Sequence, residues 1–151
     1  MGLFTSINIA ATGMSAERLR SDVISDNIAN ASTTRTQDGS AFKRSRVILA
    51  EKNAGLTFRT PFLPANLDKG LGTGVKVAEI AKDRTEGKFL YDPNHPDAIS
   101  SGPMEGYVEM PNVNIVTEMV DLIAASRAYE ANATVIQGAK SMFEAALNIS
   151  M

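Results

Sequence analysis

Apolar residues recur at helical spacing near both ends of the chain and not between them. Stepping alternately by four and three from residue 3 meets Leu3, Ile7, Ala10, Met14, Glu17, Ser21, Ile24, Ile28 and Ala31, seven of which are apolar. This spacing predicts one helix over residues 3 to about 30, with a heptad seam of the kind two-helix packing requires. Gly13 interrupts the helix at a cost of about 1 kcal/mol relative to Ala, which suits a place where another backbone comes close. Asn30 and the Ser32-Thr33-Thr34 cluster are expected to end it, because short polar side chains compete for backbone hydrogen bonds.

The last segment is more regular. From residue 115 the same step meets Ile115, Met119, Leu122, Ser126, Tyr129, Ala133, Ile136, Lys140, Phe143 and Leu147, eight of ten apolar. Pro111 precedes this helix, Asn112 or Asn114 can cap it, and Glu118 and Asp121 suit its positive end.

Between these helices, 41–49 and 75–80 carry strand character, the second with clean alternation. The run Gly70-Leu71-Gly72-Thr73-Gly74 opens a strand rather than a helix, so it reads as a flexible turn and not a phosphate loop. Residues 50–73 read as a long loop. All six prolines, eight of the eleven glycines and 21 of the 32 charged residues lie within 32–111. Composition thus divides the chain at the same places as periodicity: 1–31, 32–111 and 112–151, the first and last packing as one core. The expected fold class is α+β: two long terminal helices forming an antiparallel coiled coil, with a small strand and loop segment inserted between them.

Composition narrows the chemistry. A net charge of −2 excludes a generally basic nucleic-acid binder, and the absence of Cys removes thiol nucleophiles, thiolate metal sites and disulfides. A single His excludes any metal site needing two imidazoles. No positive charge precedes Arg18, and Asn8, Thr12 and Ser15 interrupt the apolar stretch, so no cleaved secretory signal is expected. The uncharged run 1–16 is too short and polar to span a bilayer.

Both helices are apolar beyond one stripe. Phe4, Ile9, Leu19 and Val23 lie off the first seam, and Val116, Val120, Ile123, Val135, Met142 and Ile149 off the second. Such helices require burial on several sides. The inserted segment or neighbouring subunits could supply it. A loop-rich segment of 80 residues covers two long helices poorly, so neighbouring subunits are expected.

The residues also carry a resemblance. Asn27-Ile28-Ala29-Asn30-Ala31-Ser32-Thr33-Thr34 resembles the motif closing the first helix in the axial proteins of the bacterial flagellum. Gly106-Tyr107-Val108, Pro111-Asn112-Val113-Asn114, Glu118-Met119-Val120-Asp121-Leu122-Ile123 and Ser126-Arg127-Ala128-Tyr129-Glu130-Ala131-Asn132 are similar to the last helix and its approach. Tyr91-Asp92-Pro93-Asn94-His95-Pro96-Asp97-Ala98 is similar to a segment characteristic of proximal-rod members. Ala41-Phe42 stands where the family more often has Pro-Tyr, and Asn94 where it often has Gly.

The resemblance implies a structural subunit of the proximal rod, self-assembling with other rod proteins into the drive shaft that transmits torque across the periplasm. Implied partners are further copies of the chain, other rod proteins, membrane-ring or adaptor proteins at the rod base, and the flagellar type III export apparatus. No nucleic acid, cofactor, metal or direct membrane insertion is implied. The assembly interface is expected along the seams: Leu3, Ile7, Ala10, Met14, Ile24, Ile28, Ile115, Met119, Leu122, Tyr129, Ala133, Ile136, Phe143 and Leu147. A secreted helical-hairpin binding protein or adaptor is the alternative.

Catalysis is not expected. His95 could be drawn as a base oriented by Asp92 or Asp97, but no nucleophile accompanies it. Tyr91, Asp92, Pro93, His95, Pro96 and Asp97 read instead as a loop-fixing motif, since Pro restricts the backbone and Asp caps turns. Glu105 and Glu109 imply no pocket. Lys43, Arg44 and Arg46 form a small basic cluster on a strand, read as a solvated face or as a match for an acidic patch on an adjacent subunit.

Overall fold

The computed structural model describes residues 3–52 and 72–149. Helix α1 spans Leu3–Ala29, strand β1 Ser45–Glu51, β2 Val75–Lys82, β3 Phe89–Tyr91, β4 Tyr107–Glu109, and helix α2 Ile115–Ile149. Residues 53–71 of the loop expected over 50–73 lie outside the described residues, as do the side chains of Leu3 and Ile149.

Local chemistry accounts for the helix ends. The Asn114 side chain caps α2 by accepting a hydrogen bond from the Val116 amide at 3.0 Å, satisfying one of the donors a helix start leaves over. Past Ala29 the Asn30 side chain donates back to the Asp26 carbonyl at 3.0 Å, and the Thr33 hydroxyl bonds Asn30 at 3.2 Å. These polar side chains take over the hydrogen bonds that another helical turn would make.

The helices run antiparallel. Phe4 meets Phe143 with ring centroids 6.3 Å apart, Gly13 lies under Asn132, and Asn27 reaches Glu118. With 27 and 35 residues, they are about 40 and 52 Å long at 1.5 Å per residue. The longer α2 therefore extends past α1 at the end where Phe4 lies.

Strands β1 and β2 pair antiparallel, from Ser45 opposite Lys82 to Glu51 opposite Val75, with a bulge between Ile48 and Leu49. This ribbon lies along α1. At one end the Asn27 side chain binds the Ser45 backbone; at the other the Thr12 hydroxyl accepts from the Val75 amide at 3.1 Å. Seven extended residues cover about 23 Å, matching the roughly 22 Å of helix between Asn27 and Thr12. Gly74, at φ 111°, makes the close approach possible, because a Cβ there would overlap the Thr12 hydroxyl.

Among the described elements, α2 and the ribbon both pack on α1 and not on each other. The central layer is thus α1, covered on two sides, whereas α2 is covered on one. Most of the fully buried apolar residues are small: Ala10, Ala16, Ala41, Ala125 and Ala139, with Ile24 and Val108. Beyond the ribbon, β3 and β4 form a second antiparallel pair in which Tyr91 and Tyr107 stack edge-on at 5.1 Å.

Candidate assembly interface

The seam positions divide between burial inside the chain and exposure. On α1, Ala10 and Ile24 are buried and Ile7, Met14 and Ile28 half-buried. On α2, Leu122, Ala133 and Ile136 are half-buried, but Ile115, Met119, Tyr129, Phe143 and Leu147 are 43–55% exposed. The side of α2 that meets α1 instead carries buried Glu118, Ala125 and Ala139, with Asn132 half-buried.

Away from that side, Val116, Val120 and Ile123 project from the first turns of α2, flanked by Ile115 and Met119, all with 47–71% exposure. A second exposed group lies at the far end of the hairpin, where Phe4, Met142, Phe143 and Leu147 are 45–72% exposed. Large apolar side chains clustered this way make both groups candidates for an interaction surface. The described part of the inserted segment shelters the second face of α1 and does not cover that of α2.

The polar residues converge at the other end of the helices. Glu118 is 1% exposed and Asn27 fully buried. Arg44 donates from Nε to Glu118 Oε1 at 2.5 Å and from Nη2 to Asp121 at 3.1 Å. The Asn27 amide donates to Glu118 Oε2 at 3.1 Å and to the Ser45 carbonyl at 2.8 Å, while its oxygen accepts from the Ser45 amide at 2.9 Å. Asn112 accepts from the Arg44 amide at 2.7 Å and donates to the carbonyls of Asp83 and Thr85. A buried carboxylate is thereby paired and fully hydrogen-bonded, the condition under which burial is tolerated.

This node corrects the reading of the basic cluster. Arg44 is neither on a solvated face nor free for a neighbour, and Lys43 pairs with Glu109 of its own chain at 2.6 Å. Only Arg46 of the three is exposed. Asn27 and Glu118 were legible as motif residues and Arg44 as part of the basic cluster, but not as partners, since Glu118 lies 91 positions from Asn27 and 74 from Arg44. Asp83, beside the node, is held below the ordinary carboxylate range, chiefly by the hydrogen bond from the Thr85 hydroxyl and then by the Thr85 amide.

The motif at 91–98 builds a turn. Asp92 accepts from the amides of Asn94 and His95, His95 Nδ1 accepts from the Asp97 amide at 3.1 Å, and the Ala98 amide bonds the His95 carbonyl. Asp97 in turn accepts from the Thr34 hydroxyl at 2.7 Å and lies 3.6 Å from Arg35. The motif therefore ties its own loop to the residues just after α1. A groove of about 860 Å³ between α1 and β2, lined by Thr5, Ile9, Thr12, Leu19 and Val75 among others, presents hydroxyl and apolar groups. Among the described residues, no group of His, Asp and Glu side chains could hold a metal ion, and no helix is long and apolar enough to cross a membrane.

Comparison with known proteins follows the same division of the chain. Residues 7–36 match the family described as flagella basal body rod protein, and 104–149 match that described as flagellar basal body rod FlgEFG protein C-terminal. The flagellar basal-body rod protein FlgC of Borreliella burgdorferi is 60% identical over 99% of this chain and 98% of its own. The chain belongs to the FlgC family of flagellar basal-body rod proteins. The FlgC proteins of Bacillus subtilis and Escherichia coli are 38% and 34% identical, over 99% and 94% of this chain and 99% and 93% of theirs. The two matched segments contain most of α1 and all of α2.

Proposed function

We infer that the chain is a structural subunit of the flagellar basal body, placed in the proximal rod, where its helices pack with neighbouring subunits into a torque-transmitting shaft. One observation carries this reading: the outer surface of α2, where Ile115, Val116, Met119, Val120 and Ile123 are exposed on a helix that the other described elements cover on one side. Burying five such side chains is worth about 1.5–3 kcal/mol each when complete, a gain the isolated chain leaves unrealised. The hairpin of 1–31 and 112–151 supplies the core domain, with its seams continuing between subunits as a coiled coil. The exposed Phe4, Tyr129, Phe143 and Leu147 extend the assembly surface.

The partners in this reading are further copies of the chain, other rod proteins and the ring or adaptor proteins at the rod base. Delivery is through the flagellar type III export apparatus without a cleaved signal. The role is mechanical, and catalysis has no part in it.

A Val120→Asp/Ile123→Asp variant tests the reading. Both positions are solvent-exposed, so helical content of the purified chain and export of the protein are expected to persist, while rod incorporation and swimming are lost. Normal swimming with a fully incorporated variant would overturn the reading. It would favour a secreted adaptor that uses another surface.

A further inference from the structure

We propose that the Asn27–Arg44–Glu118 node is a register lock, which selects one axial alignment of α1 against α2 from several that the rest of the hairpin would accept. The interface between the helices contains Ala10, Ala125 and Ala139 as buried positions. Small side chains allow close approach but interlock weakly, and Asn132, which seats on Gly13 but hydrogen-bonds within its own helix, would lose no polar partner if α2 slipped. A buried polar group discriminates where they do not. If α2 slips, Glu118 leaves Arg44 and Asn27 and its buried carboxyl group is left without hydrogen-bond partners. Buried ion pairs contribute little net stability compared with apolar residues of similar size, and fixing register is their best-attested use.

The geometry suits such a role. Asn27 is held to Ser45 by two hydrogen bonds, at 2.8 and 2.9 Å, so it is anchored to the start of β1 before it meets Glu118. Arg44, next to Ser45, is fixed through its amide to Asn112 at 2.7 Å. The acceptor Glu118 is thus addressed by two donors whose own positions are set by the ribbon and by the approach to α2. Three chain segments must meet before the carboxylate is satisfied. A slip of one turn would move Ile115, Val116, Met119, Val120 and Ile123 by 5.4 Å relative to the ribbon.

The chain has no native Cys, so spin labels at Asp22→Cys and Gln137→Cys, both exposed, report the alignment of the full-length protein by pulsed electron resonance. These positions leave the Phe4–Phe143 and Gly13–Asn132 contacts intact. With the node unaltered, a single distance is expected. In Arg44→Met/Glu118→Leu, which removes both charges together, helical content is expected to persist while a second distance appears, displaced by about 5 Å, one helical turn. A single unchanged distance in that variant would show that other contacts set the register and would overturn the proposal. Loss of helical content would overturn it equally, by making the pair a requirement for the helices rather than a choice between alignments.

Discussion

Gly13 of α1 lies directly beneath the side chain of Asn132 of α2: a Cβ added to Gly13 would stand 3.0 Å from Asn132 Nδ2 and 3.3 Å from its Cγ and Oδ1. The glycine that weakens α1 locally is the seat of a polar knob from the other helix. Asn132 keeps its amide satisfied by donating to the Ala128 carbonyl of its own helix at 2.9 Å. It therefore fills the space without needing a partner on α1.

Gly13→Val should consequently destabilise the hairpin by about 1–3 kcal/mol, the usual cost of overpacking. Gly13→Ala combined with Asn132→Ala removes the obstruction and recovers helix propensity, for a gain of up to about 1 kcal/mol. Denaturant midpoints of the three proteins check this. A double variant less stable than the parent would mean that Asn132 contributes more than occupancy.

Asn27 and Lys43 both make short polar contacts, yet their removal should differ widely. Asn27→Ala strands the Ser45 backbone and one Glu118 oxygen inside the protein, at about 1–3 kcal/mol for each unsatisfied group. We expect a loss of about 3 kcal/mol. Lys43→Met breaks a pair whose side chains are 24% and 29% exposed, and partly hydrated ion pairs contribute under about 1 kcal/mol. Equal losses in urea unfolding would contradict the distinction.

The turn at 91–98 should act on the chain after α1. Asp97→Ala removes the acceptor for Thr34 and the ion-pair partner of Arg35, at a cost of about 1 kcal/mol. Trypsin cleavage after Arg35, whose side chain is 69% exposed, is expected to accelerate several-fold, while Asp97→Asn, which retains an acceptor, changes it little. Unchanged cleavage in the Ala variant would mean that the loop is held by its backbone hydrogen bonds alone.

Much of the fold was readable because its signals are local. Helical spacing, the Asn114 cap and the polar cluster after Asn30 act within a few residues and mark α1 and α2 closely. The alternation at 75–80 announced β2. The two short strands Phe89–Tyr91 and Tyr107–Glu109 were not expected, since three residues offer too little alternation to distinguish a strand from a turn. The candidate interface was readable as a surplus of apolar faces, but its location was not. The contact positions Glu118, Ala125, Asn132 and Ala139 also repeat every seven residues, but they lie between the residues a count of large apolar side chains selects, because two of them are polar and two are alanine. Ile115 and Met119 consequently flank the contact line and stay exposed, while Ile136 is half-buried against the body of the chain.

From its residues alone this chain specified two long helices with breakers confined between them, more apolar helix surface than one seam can bury, and no thiol or paired imidazole for chemistry. Each of these depends on residue type and short-range spacing. Tertiary structure decided which face of α2 meets α1, which face stays open, and that Arg44 serves Glu118 and Asp121 of its own chain instead of a neighbour. Those outcomes depend on groups far apart in sequence being brought within 3 Å or so by packing, and a hydrogen-bonding group carries no mark of its partner until the chain has folded.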